Sequence, residues 1–217
     1  IVGFAAVTII WQLVATRLMM RRLLENAQPL PASVAAAARR AALAAVDYVE
    51  DDRAFAFCYG ITRPRVCVSS ALVDMLTPIE LEAVLLHERH HLVSRDPLKV
   101  LISRALGMGL FFLPVAHDLR DRYLAGKEIA ADASAAETVQ SELPLASALL
   151  KLLSQGDQGL PSTVAAIGAF NVTEERIQRI LRGGAGGRAY LERRRLLLSA
   201  FVVAVIFAAS YLPVAIG

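Results

Sequence analysis

Residues 77–91 read Thr77-Pro78-Ile79-Glu80-Leu81-Glu82-Ala83-Val84-Leu85-Leu86-His87-Glu88-Arg89-His90-His91. The stretch opens as a helix start. Thr77 is the N-cap, proline holds the first helical position, and Glu80 stands where its side chain can return to the cap's backbone N–H. Leu81, Val84 and Leu85 recur at helical spacing and turn one face to a core. The helix is expected to run to about Ser94. His87 and His91 then lie at i and i+4, neighbours on one face, and can grip one metal ion together. Glu88, beside His87, can reach a water on that metal without ligating the metal itself. Zinc lowers the pKa of such a water toward about 7, so Glu88 is the expected general base. His90 has no carboxylate placed to serve it and His87 as a pair, and reads as a rim residue. Two core-facing histidines are costly unless something satisfies them.

Outward from this helix the chain reads as mainly α with a small β-hairpin. Residues 54–59 (AFAFCY) and 65–69 (RVCVS) are two short strands joined across Gly60-Ile61-Thr62-Arg63-Pro64. An extended substrate is expected to pair with the edge of the strand at 65–69. The alanine-rich run 32–49 reads as helix. After the motif, Asp96-Pro97 reads as a second N-cap with proline at N1. Residues 105–116 are apolar but too short to span a bilayer, which suits a core or membrane-surface helix. Further helices are expected over 120–139 and 145–154, with a short one capped by Asn171-Val172-Thr173-Glu174. Gly183 to Gly187 reads as a flexible joint.

A catalytic zinc site needs a third protein ligand and one open position. Lys127-Glu128-Ile129-Ala130-Ala131-Asp132 offers two carboxylates one helical turn apart. Glu128 could ligate the metal while Asp132 orients a ligand histidine. A solvated charged face is the alternative, and spacing leaves both open. For the group that stabilises an oxyanion, His117 and Tyr59 are candidates by residue type alone. Cys58 and Cys67 flank the hairpin turn and read as small apolar residues in adjoining strands. A disulfide between them would require an oxidising compartment.

Hydrophobic residues make up 56% of the 217, too many for an ordinary soluble domain. Residues 1–16 carry no charge, and Arg17, Arg21 and Arg22 follow, so 1–22 is expected to be a transmembrane helix. A signal peptide would carry its basic residues before the apolar run. Residues 188–217 are a basic flank followed by an uncharged segment, 196–217, long enough to span. The arginines of both segments face the middle of the chain, which places residues 23–187 in the cytoplasm. The net charge of +3 does not argue for nucleic-acid binding: without the seven arginines flanking these segments, the rest of the chain carries −4. The lipid bilayer is the expected partner of the two ends.

The run from Phe57 to Leu76, the stretch Thr77–Glu88, Arg95-Asp96-Pro97, Pro114 with Arg120 and Arg122, and Glu128 with Ala131-Asp132 together resemble the BlaR/MecR-type antirepressor membrane metallopeptidases. The resemblance covers about residues 54–182. It implies a zincin-like domain of the small gluzincin (minigluzincin) type, flanked by transmembrane helices in the bacterial cytoplasmic membrane. It implies Zn2+ as cofactor, Glu128 as third ligand and Asp132 as the residue orienting a ligand histidine. It also implies site-specific proteolysis, with the chain itself and a cytoplasmic transcriptional repressor as the protein substrates. The HtpX and CAAX-prenyl-protease type, acting in protein quality control or processing, shares the strand, the motif helix and the later Glu and Asp. Arg95-Asp96-Pro97 and the Pro114 region favour the antirepressor type. An inactive membrane scaffold or signal transducer is the reading of another class. Intact His87, Glu88, His91 and Glu128 speak against it.

Overall fold

The computed structural model describes residues 2–154, 174–181 and 193–211. In chain order the elements are α1 (Val2–Leu24), β1 (Ala27–Gln28), α2 (Ala32–Arg40), β2 (Val46–Val49), β3 (Ala56–Tyr59), β4 (Arg65–Ser69), α3 (Ser70–Met75), α4 (Pro78–Val93), α5 (Asp96–Gly109), α6 (Pro114–Val139), α7 (Leu143–Ser154), α8 (Glu174–Leu181) and α9 (Arg193–Tyr211). The chain is mainly helical with one small mixed sheet, in the order β1-β2-β4-β3.

The hairpin read from the sequence is β3 and β4, antiparallel with Phe57 opposite Cys67 and Cys58 opposite Val66. Gly60 makes its turn at φ +88, where a Cβ would meet the Arg63 carbonyl oxygen at 2.6 Å, so no other residue fits without distortion. Two strands escaped the sequence reading. β2 lies parallel to β4, with Asp47 opposite Cys67, and β1 pairs antiparallel with β2. The alanine-rich run is therefore helical only to Arg40. Leu43 and Val46 bring the chain back as a strand after Ala42 takes a left-handed turn, φ 51. Because β4 lies between β2 and β3, both its edges are taken. An extended substrate cannot pair there. The strand at that end of the sheet is β3, and all four of its residues are buried.

The sheet is covered on both faces, as its near-continuous apolar strands require. Ala56, Val66 and Val68 pack into the main core with Val34, Leu72, Val84, Leu85, Leu145 and Leu149. Phe57, Tyr59 and Cys67 turn the other way, onto Met20, Leu23 and Leu24 at the end of α1. Cys58 and Cys67 thus leave on opposite faces; both are buried and free. Burial pushes the Cys67 thiol up to about 12, which keeps it protonated and unreactive.

α4 is the central helix, packed by α2, α6, α7 and the sheet. Its capping box forms as the sequence requires, with Glu80 returning to the Thr77 N–H at 2.7 Å. Glu80 also accepts from Ser147 at 2.6 Å and Lys151 at 2.7 Å, tying α7 across the start of α4. Burial alone would raise its carboxyl, but these donors outweigh that and hold it near 2. The helix is buried almost all round: Leu81, Val84, Leu85, His87, Glu88 and His91 are all in the interior.

Both terminal segments are helices, α1 and α9. Among the described residues no helix is long and apolar enough to cross a membrane. That falls short of the expectation that 1–22 and 196–217 each span, and residues 212–217 lie outside the described residues. So do Gly183 to Gly187 and the cap Asn171-Val172-Thr173, although the short helix expected after that cap is present as α8.

Candidate metal centre

α4 presents His87 and His91 on one face, and α6 crosses it with Glu128 and Asp132 on the facing turn. The His87 and His91 Nε2 atoms lie 3.0 Å apart. Glu128 stands across from both: Oε2 is 3.5 Å from His87 Nε2, and Oε1 is 3.6 Å from His91 Nε2. One atom from each residue falls within 4.8 Å of the other two. A tetrahedral zinc with bonds of about 2.1 Å separates its ligand atoms by about 3.4 Å, so the three donors fit one ion.

Each histidine is oriented from behind. His91 Nδ1 donates to Asp96 Oδ2 at 2.6 Å, and His87 Nδ1 lies 3.0 Å from Asp132 Oδ1. An ionised carboxylate can only accept, so both protons belong on Nδ1 and both Nε2 lone pairs face the ligand position. Asp96 was expected as the N-cap of α5. Arg95 holds that place instead, in the left-handed conformation at φ 53, and makes no side-chain cap. That turn swings Asp96 back onto His91.

Arg176 of α8 was not singled out from the sequence. It is 3% exposed. Its guanidinium meets Asp132 from Nη2 at 2.5 Å and from Nε at 2.9 Å, and Nη1 lies 3.3 Å from Glu128. Nη2 is also 3.2 Å from each His87 ring nitrogen, which places it over the edge between them rather than on one lone pair. Lys127 pairs with Glu128 Oε1 at 3.0 Å. Burial would raise the Glu128 and Asp132 carboxyls. His87, Arg176 and Lys127 outweigh it for Glu128, and Arg176 and His87 for Asp132, so both sit below the ordinary carboxylate range. The signal for Arg176 was faint: it shares the buried face of α8 with Ile177 and Ile180.

Glu88 is fully buried, and neither carboxylate oxygen has a hydrogen-bond donor among the described residues. Burial pushes its carboxyl up to about 7, partly opposed by His91. Among the described residues four carboxyl groups (Glu88, Asp96, Glu128, Asp132) gather here against two cations, Lys127 and Arg176. With Glu88 ionised the surplus is two negative charges, which one divalent ion would balance. An orphaned buried carboxylate beside two oriented imidazoles fits a zinc site and the water such a site holds.

The remaining candidates lie elsewhere. Tyr59 is on the α1 side of the sheet, donating to Asp47 at 2.5 Å. His117 is on the first turn of α6, 3.4 Å from the Phe111 carbonyl oxygen. Neither joins the cluster of metal-ligating residues. His90 is partly buried beside His91 and is not in the cluster either.

A stretch of 63 residues is 46% identical to Protease HtpX homolog 1 of Sulfolobus acidocaldarius, covering 29% of this chain and 20% of that protein. The match thus spans a fifth of that relative's length. The profile of BlaR1 peptidase M56 matches residues 1–180. That profile runs through the sheet, the motif helix, Glu128 and all but the last residue of α8, and its peptidase site is intact here as His87, His91 and Glu128: the chain belongs to the BlaR1 peptidase M56 family of metallopeptidases.

Proposed function

We propose that the chain is a membrane-anchored zinc endopeptidase of regulatory type, cleaving itself or a cytoplasmic transcriptional repressor. His87, His91 and Glu128 hold the ion in this reading, and Asp132 and Asp96 fix the two imidazoles. Zinc held there would supply Lewis acidity and would lower the pKa of a bound water. Glu88 would be the group placed to accept a proton from the attacking water and to return it to the leaving amine. The observation that carries the reading is the buried, donorless Glu88 carboxylate beside three converging ligand atoms.

The domain division follows the sequence reading: residues 1–22 and 188–217 in or against the bacterial cytoplasmic membrane, and residues 23–187 as a minigluzincin-like domain on its cytoplasmic side. It is supported by exposed apolar side chains on both terminal helices, such as Trp11 and Val14 on α1 and Leu197 and Phe201 on α9. Arginines close each apolar run on the domain side, Arg21 and Arg22 on α1 and Arg194 and Arg195 on α9. The likeness to the HtpX homolog favours a second reading, a membrane protease of quality control, with the same site and a broader substrate range.

Glu88→Gln tests the central role. It should keep the zinc and lower cleavage by about 10²–10⁴-fold, since only proton transfer is removed. Cleavage near the parent rate, with the variant folded and metal-loaded, would contradict it.

A further inference from the structure

The hairpin of α5 and α6 has an apolar outer face that no described element covers. Ile102 and Leu106 of α5 and Leu110, the residue that caps its end, follow one another at i, i+4, i+8, and with Leu119 and Tyr123 of α6 they line one groove. Phe111 at the tip is 65% exposed. Lys99 and Arg120 line the same groove. An apolar face with cations along it is the composition of a segment lying in a bilayer interface.

The contacts with α9 fix which way the tip points. Arg195 pairs with Asp118 at 2.5 Å, and the Val115 N–H donates to Ser199 Oγ at 3.1 Å. The numbers run in opposite directions, so α6 and α9 are antiparallel here. Ser199 is four residues beyond Arg195, about 6 Å deeper along the apolar part of α9. Residues 110–113 precede Val115 and so lie on the side of Ser199 away from the arginines.

We propose that the α5–α6 hairpin tip, Leu110 to Leu113, inserts into the headgroup–acyl boundary of the leaflet that α9 enters. The proposal rests on the membrane reading above. With Arg194 and Arg195 at the phosphates, the tip sits at the depth of about 5–10 Å typical of interfacial helices. α5 begins at Asp96 and α6 carries Glu128 and Asp132, so both arms of the wedge lead to the metal centre. Glu128 follows Pro114 along one unbroken helix by about 21 Å. The hairpin therefore sets the catalytic centre at a fixed height above the membrane and restricts it to peptide bonds near the surface.

The test uses the full chain in phosphatidylcholine–phosphatidylglycerol vesicles whose acyl chains are brominated near the headgroup. Trp11, on α1, is the chain's one tryptophan. Its quenching in the parent reports the membrane reading alone. In a Trp11→Phe background, Phe111→Trp and Leu106→Trp report the hairpin, and Leu143→Trp, exposed on α7, is the control. Fluorescence at 111 should fall by about half relative to unbrominated vesicles, with less loss at 106 and none at 143. Trp11 quenched with 111 and 106 both unquenched would overturn the hairpin proposal and leave the membrane reading standing. No quenching at any position would overturn both. The two hairpin reporters guard against one variant failing to fold.

Discussion

His87 and His91 lie one turn apart on the same helix and are oriented in the same way, yet their supports come from opposite ranges of the sequence. Asp96, five residues on, holds His91 through a single left-handed turn at Arg95. Asp132 holds His87 from another helix, and Arg176, 89 residues from His87, holds Asp132 from a third. The first support forms whenever α4 and the start of α5 form. The second exists only once α6 and α8 are docked. The metal centre therefore reports on docking through one of its two histidines.

Arg176→Met would break the comparison most severely. It leaves Asp132 and Glu128 buried with their main counter-ion gone, and losing one partner of a buried pair costs about 3–5 kcal/mol. The melting temperature should fall by on the order of 10 °C, and zinc affinity should fall with it. An unchanged melting curve would show that the docked support is not structural. Asp132→Asn keeps an acceptor for His87 and loses the charge that Arg176 answers. Zinc affinity should drop about 10–100-fold, with a measurable loss of stability. Asp96→Asn should cost zinc affinity in the lower part of that range with little change in melting, because no docking depends on it. Chelator competition and thermal melts on both variants separate the two supports. Equal stability losses would erase the distinction.

The smallest effect is one of pH. Burial holds the Glu88 carboxyl up to about 7, against an ordinary value of 4.5. Between those values the folded, metal-stripped chain keeps a proton that the unfolded chain releases. This carboxyl therefore lowers stability as pH rises from about 4.5 to 7, with no further change above. The opposite slopes from Glu128, Asp132 and Glu80 lie below that window, because their carboxyls are held low and their stability is lost only as pH falls. Glu88→Gln should flatten the fall when melting is followed against pH in chelator. Identical slopes in parent and variant would contradict the buried, donorless carboxylate.

What the sequence made legible was local. Thr77, Pro78 and Glu80 announce α4, Gly60 marks the hairpin turn, and the spacing of Glu128 and Asp132 offers carboxylates at one turn. What it concealed depends on distant partners. Val46 to Val49 form a strand because β4 lies beside them, and the preceding alanines speak for helix. Asp96 satisfies the rule for an N-cap, but His91 competes for it and wins. Arg176 in Glu174-Glu175-Arg176-Ile177 has the composition of a solvated helix face until α8 is seen packed on α7 with Arg176 turned inward. The order β2-β4-β3, which closes β4 to a substrate, needed the parallel crossover that no local signal gives.

The most direct measurement is the zinc content of the full chain purified in detergent under zinc-replete conditions, beside His91→Ala. The expected result is about one zinc per chain in the parent and loss of tight zinc in the variant, with both folded. A folded parent without zinc, or equal zinc in both chains, would contradict a metal centre built on His87, His91 and Glu128.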